Sequence, residues 1–217
     1  MSNTVGNEPR NQSNIWEQTV ELAMKKAMGF SPKPFQLRVA SHLIKMKNRS
    51  LVLPSPQASL LVQGTGGGKT CVYQTVALIK CGINLIIQNT LTLSSDQMSK
   101  VASIKERIPG THAIQLDAIR NRTAQNDVKK ALLGMKNTAH TTVFVFASPE
   151  SILKPHWLEM FYSLIEKGTL KFICFDEVHL FVSYGISFRP SFIKLRDTIL
   201  KKILSATTIP TMQHQHC

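Results

Sequence analysis

Acidic residues are scarce in this chain: 13 aspartates and glutamates stand against 26 lysines and arginines, a formal net charge of +13 over 217 residues. A chain so short of negative charge attracts polyanions, because phosphates neutralised by lysine and arginine release condensed counterions. The basic residues are spread along the sequence, so charge alone marks no binding face, and a merely basic surface is the competing reading. Long hydrophobic runs are missing as well. No stretch reaches the roughly 18 apolar residues of a membrane span. The opening segment 1–14 is polar and lacks the apolar stretch of a secretory leader. A loose tail on an intracellular protein is expected there, nuclear in a eukaryote. Cysteine is sparse and unpatterned: Cys71, Cys81, Cys174 and Cys217 form no CxxC pair and no finger spacing. Cys71 and Cys174, in apolar surroundings, read as buried thiols. His214, His216 and Cys217 lie together, but without a second ligand pair they read as a polar terminus, 211–217, and no structural zinc is expected.

What the chain does have is enough apolar material, 43%, and few enough charges, 18%, to build a globular domain. Helical spacing of Ile15, Val20, Leu22, Ala23 and Ala27 predicts a helix over 15–28, closed by Gly29 and by the extended turn that Pro32 and Pro34 enforce. A second helix is expected over 35–47 and a loop over 49–57. From there strand and helix alternate. Strands are expected at 59–62, 83–87, 113–116, 142–146, 170–175 and 202–204. Helices are expected at 70–80, 93–104, 127–133, 151–167 and 192–199. Continuously apolar strands separated by helices describe an α/β domain: a mostly parallel sheet covered by helices on both faces. The N-terminal helices, 15–57, precede the body of this domain, 58–210.

The most specific motif follows the first strand. Leu60-Leu61-Val62 runs into Gln63-Gly64-Thr65-Gly66-Gly67-Gly68-Lys69-Thr70, where a helix begins. The glycines let backbone N–H groups converge on an anion, and the helix N-terminus adds partial positive charge. Lys69 is placed to reach β- and γ-phosphates, and the Thr70 hydroxyl to hold Mg²⁺. The general phosphate-loop pattern has glycine where this chain has Gln63.

Further on, the buried strand Phe172-Ile173-Cys174-Phe175 delivers Asp176 and Glu177 at its carboxyl end, where open α/β sheets bind ligands. By itself such a pair is often a solvated turn. Beside a phosphate loop the two acids suit an ATP site: Asp176 to orient Mg²⁺, Glu177 to polarise the attacking water.

With both motifs in place, the chain resembles superfamily 2 helicases, RecQ-type DNA helicases most of all, over residues 20–209. The phosphate loop continues as Lys69-Thr70-Cys71-Val72-Tyr73-Gln74, similar to that family's wording. Leu93-Ser94-Ser95-Asp96-Gln97-Met98 resembles its next motif, although Gln88-Asn89 replaces the usual Ser-Pro. Ala147-Ser148-Pro149-Glu150 resembles the close of its fourth strand, and Asp176-Glu177-Val178-His179 stands at its DEAH position. Ser183 to Pro190 resembles the aromatic-rich loop that couples single-stranded DNA to ATP hydrolysis. There Tyr184 and Phe188 offer stacking faces and Arg189 a phosphate or base contact, although plain core packing of these aromatics is the alternative. Gly29-Phe30 and Phe35-Gln36 resemble the adenine-recognition motif, with Gln36 reading the adenine edge. Ser205-Ala206-Thr207 matches the motif that relays nucleotide state, and His179 is expected to share in that coupling.

The resemblance implies a RecA-like P-loop domain using ATP and Mg²⁺, with single-stranded or partly duplex DNA as partner and no membrane association. It further implies 3′-to-5′ unwinding and the repair and recombination work of the family. The later modules, a second motor domain among them, would then act in cis or in trans, and the chain reads as a fragment with weak hydrolysis. An RNA-directed DExH motor and a non-catalytic nucleic-acid-binding remnant are the rival readings.

Overall fold

A computed structural model describes residues 10–45, 58–62, 66–88, 91–135, 139–176, 190–200 and 211–215. Among these residues six strands form one sheet: β1 (Ala58–Val62), β2 (Gly82–Ile87), β3 (Thr111–Gln115), β4 (Thr142–Ala147), β5 (Leu170–Phe175) and β6 (Thr211–Gln215), in spatial order β1-β6-β5-β2-β4-β3. Every pairing is parallel. Parallel neighbours need crossovers, and the helices that supply them cover both faces of the sheet.

On one face lie α1 (Arg10–Met28), α2 (Pro34–Lys45), α3 (Lys69–Lys80) and α4 (Leu91–Arg107). Val20, Ala27 and Leu43 from the N-terminal helices join Val72, Tyr73 and Val76 of α3 over Ile86, Phe144, Phe146, Phe172 and Cys174 of the sheet. The N-terminal helices thus share one core with the phosphate-loop helix. On the other face, Trp157, Phe161 and Leu164 of α7 (Pro155–Glu166) pack with Ile83, Leu85, Val145, Ile173 and Phe175. Alternation of side chains along each strand divides the sheet between the two cores.

Several boundaries differ from the sequence reading for local reasons. The helix α1 begins at Arg10, so the expected tail 1–14 is helical in its last five residues; residues 1–9 lie outside the described part. The helix α5 (Arg122–Gly134) starts five residues before the expected 127 because the Asn121 side chain accepts from the Thr123 N–H and caps it. The expected helix 151–167 is two helices, α6 (Pro149–Ile152) and α7, separated where Pro155 opens a new first turn. The segment α8 (Pro190–Leu195) continues into a π-turn, Arg196–Leu200. The terminus 211–217, read as a tail, contributes β6, wedged between β1 and β5. The strand expected over 202–204 and the loop over 49–57 fall outside the described residues.

Candidate functional site: a phosphate loop facing a strand-end carboxylate

The carboxyl edge of the sheet holds a cavity of about 650 Å³. Gly66, Gly67, Gly68, Lys69 and Thr70 form one wall and Asp176 another, so the two sequence motifs, roughly a hundred residues apart, meet at one hollow.

The loop's shape is set by its glycines. Gly66 and Gly68 have φ of 74° and 90°, the left-handed region that costs glycine little. Gly68 is the N-cap of α3 and has no side chain to satisfy the helix's first N–H groups. Those groups, and the partial positive charge of a helix of 12 residues, face the hollow. Lys69 opens the helix and is 6% exposed, so its ammonium is already withdrawn from bulk water.

Gln36 lies behind this loop. Its side-chain Oε1 accepts from the Lys33 N–H at 2.7 Å, and its Nε2 donates to the Gly68 carbonyl at 3.0 Å. The residue expected to read adenine is therefore buried, at 2% exposure, as a strut between α2 and the phosphate loop. Phe30, half exposed, and Met28 lie at the cavity instead.

Opposite, Asp176 follows the last residue of β5, and its N–H donates to the Ile87 carbonyl at 2.9 Å, which extends the β5–β2 ladder by one bond. Burial raises the Tyr73 hydroxyl well above the usual phenol range, and the nearby negative charge of Asp176 pushes the same way. Burial likewise raises the Cys174 thiol, with Asp176 adding to it. Tyr73 and Cys174 are consequently neutral packing groups beneath the site.

The oxygen donors available are the Thr70 hydroxyl and the Asp176 carboxylate. Among the described residues no three His, Cys, Asp or Glu side chains converge as a self-sufficient metal cage. A hydroxyl and one carboxylate suit Mg²⁺, which is normally held by one or two protein oxygens together with phosphate oxygens and water.

Some contributors were not singled out in the sequence. Gln97, Lys100, Ile104 and Arg107 line the cavity from α4. Their spacing is helical, so the polar residues Gln97, Lys100 and Arg107 on one face of α4 were the available signal. Arg107 also donates to the Ala27 carbonyl at 2.9 Å, closing the end of α1 and tying the N-terminal helices to α4. Cys71, expected to be buried, is half-buried in the cavity wall. A further network fastens the Ala147–Glu150 segment: the Ser148 N–H donates to Asp117 at 2.8 Å and the Ser151 hydroxyl at 2.7 Å, while the Ser191 hydroxyl donates to Glu150 at 2.6 Å. Gly64, Thr65, Glu177, His179, Tyr184, Phe188, Arg189, Ser205 and Thr207 lie outside the described residues.

Comparison with known proteins agrees with this geometry. Residues 33–215 match the DEAD/DEAH box helicase family. The chain is 22% identical over 179 residues to mouse ATP-dependent DNA helicase Q5, covering 82% of this chain and 17% of the relative. It is 28% identical over 137 residues to ATP-dependent DNA helicase RecQ of Pasteurella multocida (63% and 20%). It is 30% identical over 164 residues to mouse ATP-dependent DNA helicase Q1 (74% and 22%). The chain thus spans about a fifth of the length of the curated relatives it matches. In fold it is similar to the DUF1998 helicase MrfA crystallised with DNA and AMPPNP, with TM-score 0.60 and 17% identity over 92% of this chain and 26% of that one. A hypothetical ATP-dependent RNA helicase from Sulfolobus tokodaii has TM-score 0.53 and 16% identity over 92% of this chain and 50% of that one. With a glycine loop at a helix start, a carboxylate at the end of β5 and a family match over most of its length, this chain belongs to the DEAD/DEAH box helicases and carries a RecA-like domain similar to the matched region of RecQ-type helicases.

Proposed function

We propose that the chain binds ATP with Mg²⁺ in the 650 Å³ cavity and works as the first motor domain of a RecQ-like DNA helicase. The observation that carries this reading is the shared hollow: Gly66–Thr70 and Asp176 line one cavity from the start of α3 and the end of β5. Lys69 would meet the β- and γ-phosphates, while Thr70 and Asp176 would hold the metal between protein and nucleotide. Bound Mg²⁺ would supply charge neutralisation at the phosphates. In the same reading Glu177 polarises the attacking water, and Gln36 acts on the nucleotide through the loop it braces. Tyr184, Phe188 and Arg189 take single-stranded or partly duplex DNA, and His179, Ser205 and Thr207 carry the coupling. A second motor domain, in cis or in trans, completes the machine. That domain would contribute arginines to the nucleotide site; where they are lacking, turnover falls by about 10³- to 10⁵-fold, as when an arginine finger is lost in related phosphoryl-transfer enzymes.

The test is ATP hydrolysis by the full chain with single-stranded DNA, RNA or no nucleic acid. The expected result is slow turnover, raised more by DNA than by RNA and removed by Glu177→Gln. Greater stimulation by RNA would favour the RNA-motor reading, and nucleic-acid binding without any turnover would favour the non-catalytic one.

Cysteine chemistry offers an independent check. Burial raises the Cys71 thiol above its ordinary value, with nearby Lys100 and then Lys33 pulling the other way. Its alkylation is therefore slow at neutral pH and keeps accelerating past the ordinary thiol titration range, because only the thiolate reacts. ATP at about ten times its Kd slows that reaction about tenfold, since only nucleotide-free protein exposes the group. Cys81, at a separate 260 Å³ cavity formed with Ile108, Gly110 and Thr142, is not protected. Site-resolved mass spectrometry reads both rates. Equal rates with and without ATP at Cys71 would contradict the placement of the nucleotide.

A further inference from the structure

We infer that Gln88 is a positioning residue for Asp176, setting how firmly this chain grips the metal of a metal–nucleotide; the inference rests on the nucleotide-binding reading above. The strands β2 and β5 are parallel neighbours with Ile87 opposite Phe175, so Gln88 and Asp176 emerge side by side at the sheet's carboxyl edge. Both backbones are pinned. The Gln88 N–H donates to the Ala147 carbonyl at 3.0 Å, and the Asp176 N–H to the Ile87 carbonyl at 2.9 Å. Both side chains are buried, Gln88 at 1% and Asp176 at 7% exposure, and Gln88 Nε2 donates to Asp176 Oδ2 at 3.4 Å.

Two strand ends thus bring these side chains together, and the amide's donation favours one orientation of the carboxylate. A cation such as Mg²⁺ demands near-ideal geometry, so a carboxylate free to rotate loses part of its affinity to the cost of ordering it. The sequence sharpens the point. The family this chain resembles has Ser-Pro where Gln88-Asn89 stands, and a serine side chain is too short to carry an amide donor across to the neighbouring strand's carboxylate. The long Gln88 amide spans that gap and reaches the acid. The bland account, that Gln88 merely fills buried space, predicts a different pattern of variants.

The experiment measures the Kd of the full chain for a fluorescent ATP analogue in EDTA and in Mg²⁺, for wild type, Gln88→Met and Gln88→Ser, each with and without Asp176→Asn. The ratio of the two Kd values is the metal's contribution. Methionine keeps the side-chain length and removes the donor, so it serves even if the serine variant fails to fold, which thermal melting reveals. The expected result is a ratio lowered about tenfold by either substitution, the lower end for a hydrogen bond to a charged group. In the Asp176→Asn background the same substitutions change it less than about twofold, because no carboxylate is left to orient. A wild-type ratio in both variants, or an equal loss in both backgrounds, would overturn the role of Gln88 alone. A wild-type chain that binds no nucleotide would overturn the nucleotide reading and this inference together.

Discussion

Alanine at Lys69 lowers the affinity of the chain for Mg–ATP by about 30-fold to several-thousand-fold, the range set by about 2–5 kcal/mol for deleting one partner of a buried charge pair. The size of the effect follows from burial. At 6% exposure the Lys69 ammonium has left bulk water before any nucleotide arrives, so little of the phosphate contact is spent on stripping its hydration. Its place as the first residue of α3 also aligns the full charge with the helix's own partial charge. Removing the ammonium leaves the backbone N–H groups, with the metal that Thr70 and Asp176 would hold, to bind the triphosphate. Equilibrium binding of a fluorescent nucleotide measures the loss, and a variant that binds within twofold of wild type would remove Lys69 from the site.

Alanine at Gly68 is expected to be nearly as damaging, by a different route. The residue has φ 90°, where a β-carbon costs about 1–2 kcal/mol, and that carbon would stand 2.5 Å from Gln36 Nε2. The amide is the far end of a flexible chain, but it is buried and held at both polar atoms. Moving it forfeits two hydrogen bonds of about 0.5–1.5 kcal/mol each. The summed cost, about 2–5 kcal/mol, falls on the loop conformation that receives phosphate and lowers nucleotide affinity about 30-fold or more. Adding Gln36→Ala to Gly68→Ala deletes a side chain whose two hydrogen bonds are already forfeited and leaves the backbone strain. The double variant therefore binds nucleotide about as weakly as Gly68→Ala alone in the same assay. A Gly68→Ala chain with wild-type affinity would show that the loop is not held in this conformation.

These two residues illustrate what the sequence makes legible. A glycine cluster between an apolar strand and a helix start encodes its own geometry, because only glycine tolerates the left-handed φ values seen at Gly66 and Gly68. The strands 83–87 and 170–175 were readable because they are buried on both faces and hence continuously apolar. In β6, Thr211-Met212-Gln213-His214-Gln215, the pairing is made by backbone groups and every residue but Met212 is polar, so hydropathy offered no signal. The early start of α5 was hidden for a related reason: its first turn, Arg122 to Gln125, carries no apolar stripe and depends on the Asn121 cap. The site follows the same division. Lys69 and Asp176 declared themselves through local motifs. Arg107 and Lys100 did not, because their place in the cavity depends on how α4 lies across the sheet. The strut role of Gln36 is also tertiary, since its partner Gly68 is 32 residues away.

The most direct measurement is anomalous diffraction from Mn²⁺ in crystals of the chain grown with a non-hydrolysable ATP analogue. The account predicts one metal peak between the Thr70 hydroxyl and the Asp176 carboxylate, with the triphosphate wrapped by Gly66 to Lys69 at the start of α3. A metal bound elsewhere, or a nucleotide seated away from that loop, would contradict it.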